Sequence, residues 1–164
     1  MDNQFIVKKV TDFFPAGITG VDETSDILTI QVSREIIHDV IRFLRDEEAL
    51  AFTFLTDLCG VHYPEQSLPL GIVYHLQNME KNTRLRIKTF VKVDEPKVST
   101  ITDLFSGANW MERETYDFYG IIFEGHPNLI RILNVEYLDY FPMRKEYPLE
   151  DATREDKDDR FFGR

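Results

Sequence analysis

Apolar residues recur along this chain with two periods, and the switches between them mark its elements. From Arg84 to Val93, Leu85, Ile87, Val91 and Val93 alternate with Arg84, Arg86, Lys88 and Lys92. Period two predicts a strand with one face in a core and a basic face outward. Leu68–Gln77 predicts a partner strand, joined to it through Asn78–Thr83, a polar connection of hairpin length. Earlier, Asp26–Val32 reads as a strand, and Phe52–Leu58 is a short apolar segment that fits a strand or a helix, the strand being the favoured reading. Between them Ile36, Ile37, Val40, Ile41 and Leu44 recur at helical spacing behind Ser33, a candidate N-cap. Pro96 ends the ribbon. A second helix is predicted from Thr100, with Asp103 completing a capping box, to Tyr119, where Gly120 stops it. Ile101, Leu104, Ala108, Met111 and Phe118 lie broadly on one side of it, and Gly107 weakens it by about 1 kcal/mol relative to alanine. The expected class is α+β: a mixed or antiparallel sheet with helices packed on one face.

Composition narrows the functional classes. At 164 residues and 43% hydrophobic content the chain suits one domain, expected over residues 1–149. The single cysteine, Cys59, leaves no partner for a disulfide within the chain and cannot hold an iron–sulfur cluster alone, which takes about four thiolates. A net charge of −10 opposes nucleic-acid phosphates, and the basic strand face, carrying only Phe90 as an aromatic, does not amount to an RNA platform. That face reads either as a solvated surface or as a dock for an acidic partner protein. No apolar run reaches the ~20 residues of a membrane span, and charged residues interrupt the N-terminal stretch where a signal peptide would lie, so a soluble cytoplasmic protein is expected.

The richest stretch is Glu112–Leu133, ERETYDFYGIIFEGHPNLIRIL. It mixes six charged residues with a histidine, two glycines and a proline. Before Gly120, Glu114 and Asp117 are three apart and are expected to share a helix face, and Arg113, four before Asp117, is placed to pair with it. After it, Tyr119–Phe123 reads as extended chain and Gly125–Asn128 as a turn, with Pro127 holding His126 out of helical geometry.

At these residues the chain resembles the family of the so-called thirty-kilodalton subunit of the proton-pumping NADH:quinone oxidoreductase, respiratory complex I. The family signature is similar to Glu112-Arg113-Glu114, Tyr116-Asp117-Phe118-Tyr119-Gly120-Ile121, Phe123-Glu124-Gly125-His126-Pro127 and Arg131-Ile132-Leu133, with Trp110 just ahead of it. A second block, Pro142-Met143-Arg144-Lys145-Glu146-Tyr147-Pro148, looks like the Pro-Leu-Arg-Lys-Asp-aromatic-Pro that follows in the family. Phe141, where a Gly-His pair is common, Met143 and Glu146 depart from the pattern. The resemblance implies a subunit of the peripheral arm without a redox cofactor of its own, flavin and iron–sulfur clusters residing in partner subunits. It implies packing beside the quinone-site subunit, with no membrane span, on the cytoplasmic side of the inner membrane. The equivalent subunit of a membrane-bound hydrogenase-type complex is the alternative within the resemblance.

A stand-alone enzyme would use His126 with Glu114 and Asp117. Arg113 and Arg131 are available to hold those carboxylates as ion pairs, and His126 has no second histidine at ligand spacing. Trp110, Glu112, Arg113, Glu114, Asp117, His126, Arg131, Arg144 and Lys145 therefore have two readings: an internal network fixing the fold, or a charged surface recognising another subunit. Between Pro142 and Pro148, Arg144 and Lys145 are expected on an exposed arm. Residues 150–164 form a charged tail, with nine charges in the eleven residues Glu150–Arg160, ahead of Phe161 and Phe162. Its charge density keeps it from a core, and the two rings suit an anchor in a partner or a frayed end.

Overall fold

The two alternating segments form the middle of a five-stranded mixed sheet in the computed structural model, which describes residues 1–24 and 26–148. Strands β1 (Ile18–Asp22), β2 (Thr29–Val32), β3 (Phe54–His62), β4 (Leu70–Asn78) and β5 (Thr83–Val91) lie in the order β1-β2-β5-β4-β3. β4 and β5 pair antiparallel from Leu70↔Val91 to Asn78↔Thr83, whereas β2 joins β5 in parallel. Cross-strand register puts Leu70, Ile72, Tyr74 and Leu76 on the same side as Leu85, Ile87 and Val91, and all seven are buried in one apolar cluster. Helices α1 (Asn3–Phe13) and α2 (Ile37–Asp46) supply Ile6, Val10, Ile37, Val40, Ile41 and Leu44 to that cluster.

α3 (Ala108–Tyr119) lies against β3, so closely that a Cβ on Gly60 would sit 2.4 Å from the Tyr119 ring. Ala108, Glu112 and Thr115 are its buried inward stripe, at the four-then-three spacing of a helix face. A small parallel pair, β6 (Lys97–Ser99) with β7 (Ile122–Glu124), ties the two ends of this unit together.

Several expected boundaries move. Val93 lies beyond β5 and is 43% exposed, so it is not a core position. Ser33 precedes a 3-10 turn, Arg34–Ile36, without a side-chain cap bond, and the α-helix starts at Ile37. The helix expected from Thr100 begins only at Ala108, behind Gly107. The Thr100 hydroxyl is taken by Glu112, and Asp103 binds His38 at 2.9 Å instead of capping. Residues 101–105 close a turn in which the Leu104 and Phe105 N–H groups both donate to the Ile101 carbonyl. α1 and β1 have no counterpart among the expected elements. The expected charged tail, including Phe161 and Phe162, lies outside the described residues.

Candidate functional site

α3 turns two polar stripes away from each other, and the outward one organises the chain that returns after β7. Gly120 ends the helix in the left-handed region (φ 73°), its N–H donating to the Tyr116 carbonyl. The chain then runs through β7 to Gly125, also left-handed (φ 85°), where His126 opens a turn. His126 Nδ1 accepts from the Asn128 N–H at 3.0 Å while Nε2 lies 3.1 Å from the Asn109 carbonyl. With Nδ1 accepting, Nε2 is the ring's donor, and the two bonds staple the turn to the start of α3.

From Ile130 the chain passes alongside α3, and Arg113 and Asp117, one helical turn apart, grip its backbone together. Arg113 Nε and Nη2 donate to the carbonyls of Ile130 (3.1 Å) and Arg131 (2.9 Å). This corrects the expected Arg113–Asp117 pair: the i, i+4 spacing aims both at one target instead of at each other. Asp117 is fully buried. Its Oδ2 accepts from the N–H groups of Ile132, Leu133 and Asn134 at 2.8–3.1 Å, and its Oδ1 accepts from Arg131 Nη1 at 2.7 Å and Asn134 Nδ2 at 3.1 Å. Burial alone would raise its pKa. The donations from Asn134, Arg131 and Leu133 outweigh it and hold the carboxyl well below the usual range.

Arg131 is the other half of the node, 8% exposed. Besides Asp117 it donates through Nη2 to the carbonyls of Leu138 (2.7 Å) and Tyr140 (3.0 Å), so one guanidinium closes a loop of the arm. Its Cζ sits 5.1 Å from the centroid of Phe141, and that of Arg144 sits 4.8 Å from the same ring. Phe141 also lies over Gly120, where a Cβ would come within 2.4 Å of the ring. Arg144 Nε donates to the Tyr119 carbonyl at 2.8 Å, a cation on the C-terminal end of α3. Arg144 is thus docked rather than displayed, which corrects the expected exposed position. Lys145 is exposed as expected, with its backbone N–H donating to His62 Nδ1 at 2.9 Å.

The remaining candidates separate. Glu114 is exposed, so it does not share a face with buried Asp117. Trp110 is 61% exposed with Arg113 Cζ 5.2 Å from its ring. Glu112 points inward, fully buried, accepting from the Thr100 hydroxyl (2.5 Å) and the Ile101 N–H (2.8 Å) with no cation beside it among the described residues. Burial pushes its carboxyl up to about 7, against those two bonds. Glu114, Asp117 and His126 form no hydrogen bond or ion pair with one another among the described residues, and Asp117 and His126 are occupied by structural bonds. Beside Glu114, Cys59 borders a cleft of about 240 Å³ with its thiol pushed up to about 11, first by burial and then by the Asp57 charge, so it is a poor nucleophile. The arrangement can hold a segment rigid; it does not assemble an acid–base pair. Sequence reasoning passes over Phe141, which stands out only as a departure from a pattern, and over Asn134 and His62, which no local motif marks.

What the junction holds is visible on its outer side. Leu133 is 69% exposed, Val135 47% and Tyr137 87%, with Tyr140 and Tyr147 at 38% each. Comparison with known proteins places this architecture. Residues 30–153 match the family model described as respiratory-chain NADH dehydrogenase, 30 Kd subunit. An NADH-quinone oxidoreductase subunit of Roseiflexus sp. (strain RS-1) is 42% identical over 149 residues, 91% of this chain and 86% of that protein. The protein of the same name from Maricaulis maris (strain MCS10) is 40% identical over 134 residues, 82% of this chain and 66% of its own. Among solved structures, a trypsin-resistant fragment of Nqo5 aligns with a TM-score of 0.66 at 26% identity, over 79% of this chain and all of the fragment. A chain of a membrane-bound sulfane sulfur reductase, an archaeal respiratory membrane complex, aligns with a TM-score of 0.73 at 25% identity, over 89% of this chain and 85% of its own. On the extent of the family match and the identity to its relatives, the chain belongs to the family of the respiratory-chain NADH dehydrogenase 30 Kd subunit.

Proposed function

We propose that this chain is the thirty-kilodalton-type subunit of a proton-translocating NADH:quinone oxidoreductase and acts there as a structural subunit without a redox centre. The observation that carries the structural role is the arm after Ile130. Buried Asp117 and Arg131 fix its backbone from inside, while Leu133, Val135, Tyr137, Tyr140 and Tyr147 face outward. An interface benefits from such prior rigidity, because the ordering cost of the segment is met before the partner arrives. Exposed tyrosines on a rigid frame are the residue type that anchors partner surfaces.

Electrons pass in such a complex from NADH through flavin and iron–sulfur clusters to quinone, and those cofactors sit in partner subunits. One cysteine, with its thiol pushed up, is a poor start for cluster ligation, which supports the cofactor-free assignment. The partners are other peripheral-arm subunits, chiefly the one that forms the quinone site, on the cytoplasmic side of the inner membrane. No helix among the described residues is long and apolar enough to cross a bilayer, so attachment runs through those partners. Identity near 40% to proteins named as subunits of NADH-quinone oxidoreductase, against 25% to the sulfane sulfur reductase chain, favours the quinone complex over a hydrogenase-type one.

The test is recovery of a tagged chain from its native membranes, followed by mass spectrometry. Subunits of an NADH:quinone oxidoreductase should copurify at fixed stoichiometry, and flavin and iron should follow those subunits rather than the isolated chain. Recovery of the chain alone would sink the proposal.

A further inference from the structure

All three helices leave one face of the sheet uncovered, and the middle strand lines that face with cations. On β5 the positions that alternate with the buried ones are Arg84, Arg86, Lys88 and Phe90, about 6.8 Å apart by strand geometry. Arg86 and Lys88 are half-buried, so their stems lie along the sheet and their charged ends are held near it. Arg86 is aimed: its Nε donates to His75 Nε2 at 2.8 Å and its Nη1 reaches the Thr29 hydroxyl at 3.5 Å, leaving Nη2 without a partner among the described residues.

No carboxylate among the described residues lies within ion-pair distance of the row on this face, although Asp22 is close enough to feel the charges of Lys88 and Arg86. Neither Arg84, Arg86 nor Lys88 takes part in an ion pair among those residues, although the chain carries ten more acidic than basic side chains. Two acids flank the row without forming an ion pair with it. Asp22 is tied to the N–H and hydroxyl of Thr24 at 2.8 and 2.6 Å, and Asp57 stands 3.7 Å from His75 Nδ1. Beside Lys88 the sheet opens into a depression of about 400 Å³ whose walls come from strands and loops alone, including Gln31, Tyr63 and Phe90, with Asp22 as the single acid of its lining.

We propose that this uncovered face is a second docking surface, one that takes an acidic polypeptide segment of a neighbouring subunit along β5. Charge complementarity selects the occupant. An extended segment repeats its side chains every two residues, as the strand does, so carboxylates at alternate positions meet Arg84, Arg86 and Lys88 in step. Tyr63 and Phe90, with ring centroids 6.2 Å apart, give an apolar stop at one end of the row. The surface is remote from the arm after Ile130 in sequence and differs from it in chemistry, being cationic where the arm is apolar. The identity of the neighbour as a subunit of the same complex rests on the function proposed above.

The two can be tested separately in the assembled complex in native membranes. A photo-crosslinking phenylalanine analogue is placed at Gln31, beside Lys88 in the sheet register, and in a second strain at Tyr137 on the arm. Gln31 should crosslink to a peptide richer in Asp and Glu than in Lys and Arg. The paired change Arg84→Glu and Lys88→Glu should lower that yield about tenfold or more while the melting curve of the isolated chain stays unchanged. If that variant fails to fold, Arg84→Gln with Lys88→Gln should still lower the yield, and should steepen its loss with added salt. Protein products from Tyr137 with none from Gln31, or with lipid at Gln31, would overturn the docking face and leave the proposed function standing. No protein product from either position would overturn both.

Discussion

Asp117 and Arg131 meet at 2.7 Å with their side chains 0% and 6% exposed, and neither is satisfied by the other alone. The carboxylate takes three backbone N–H groups of residues 132–134 and the guanidinium takes the carbonyls of Leu138 and Tyr140. An ion pair buried in this way costs desolvation that its own attraction barely offsets, and its attested benefit is a fixed arrangement. Here what it fixes is the path of the arm.

Removing one partner should therefore be severe. Arg131→Ala leaves a buried carboxylate and three carbonyls, those of Asp117, Leu138 and Tyr140, without their donor, and a loss of about 3–5 kcal/mol is expected in urea unfolding of the isolated chain. Arg113→Ala should cost less, about 1–2 kcal/mol, because its bonds are to backbone carbonyls at a half-buried site. Equal losses for the two variants would contradict this division of roles.

That ranking is only partly legible in the sequence. β4 and β5 announce themselves by strict alternation, and the helix stop at Gly120 follows from glycine's freedom at positive φ. The i, i+4 spacing of Arg113 and Asp117 is visible too, but a helical pair and a shared grip on a third segment look identical in sequence. α1 escapes because only Ile6 and Val10 of its residues are buried, a single turn of periodicity. β1 escapes because ITGVD, with a glycine and no buried position, is a short edge strand. The third helix is predicted too long because Ile101, Leu104 and Ala108 keep helical spacing through a turn that Glu112 holds in place from the next element.

Gly120→Ala should destabilise by about 2–4 kcal/mol. The left-handed φ of 73° costs a non-glycine residue about 1 kcal/mol, and the added Cβ meets the Phe141 ring at 2.4 Å, which overpacks the site. Phe141→Ala in the same chain removes the clash but not the backbone strain. The two changes should therefore cost less together than the sum of their separate effects, as a double-mutant cycle of unfolding free energies will read out.

Two buried carboxyls give the pH dependence opposite signs. Glu112 in the fold titrates near 7 against its usual 4.5, so the folded chain binds more protons than the unfolded one between those values. Its contribution is most favourable below pH 4.5, and stability falls as pH rises to about 7, by about 3 kcal/mol at most. Asp117, held low in the fold, works the other way. Its contribution is present above its unfolded value of 3.8 and is lost as pH falls below it. Glu112→Gln should flatten the slope between pH 5 and 7 and leave acid unfolding below pH 4 in place. Asp117→Asn should weaken the acid transition and keep the slope near neutrality. Denaturant midpoints taken at closely spaced pH values separate these outcomes, and an unchanged slope in Glu112→Gln would show that another group carries it.

The arm itself is tested on its outer side, where folding and assembly come apart. Leu133 and Tyr137 are 69% and 87% exposed, and only the backbone of Leu133 is engaged, by Asp117. Leu133→Asp with Tyr137→Asp leaves every bond of the Asp117–Arg131 node in place, so the unfolding free energy should move by no more than about 0.5 kcal/mol. In an interface the same changes bury two carboxylates opposite apolar partners, and central anchors of this kind are worth about 2 kcal/mol or more. Copurification of the neighbouring subunits with the tagged double variant should then drop at least about tenfold, since each 1.4 kcal/mol is a factor of ten. The opposite pattern, a destabilised chain that still assembles at wild-type yield, would place the arm's outer residues in the fold of this chain and the subunit contact elsewhere.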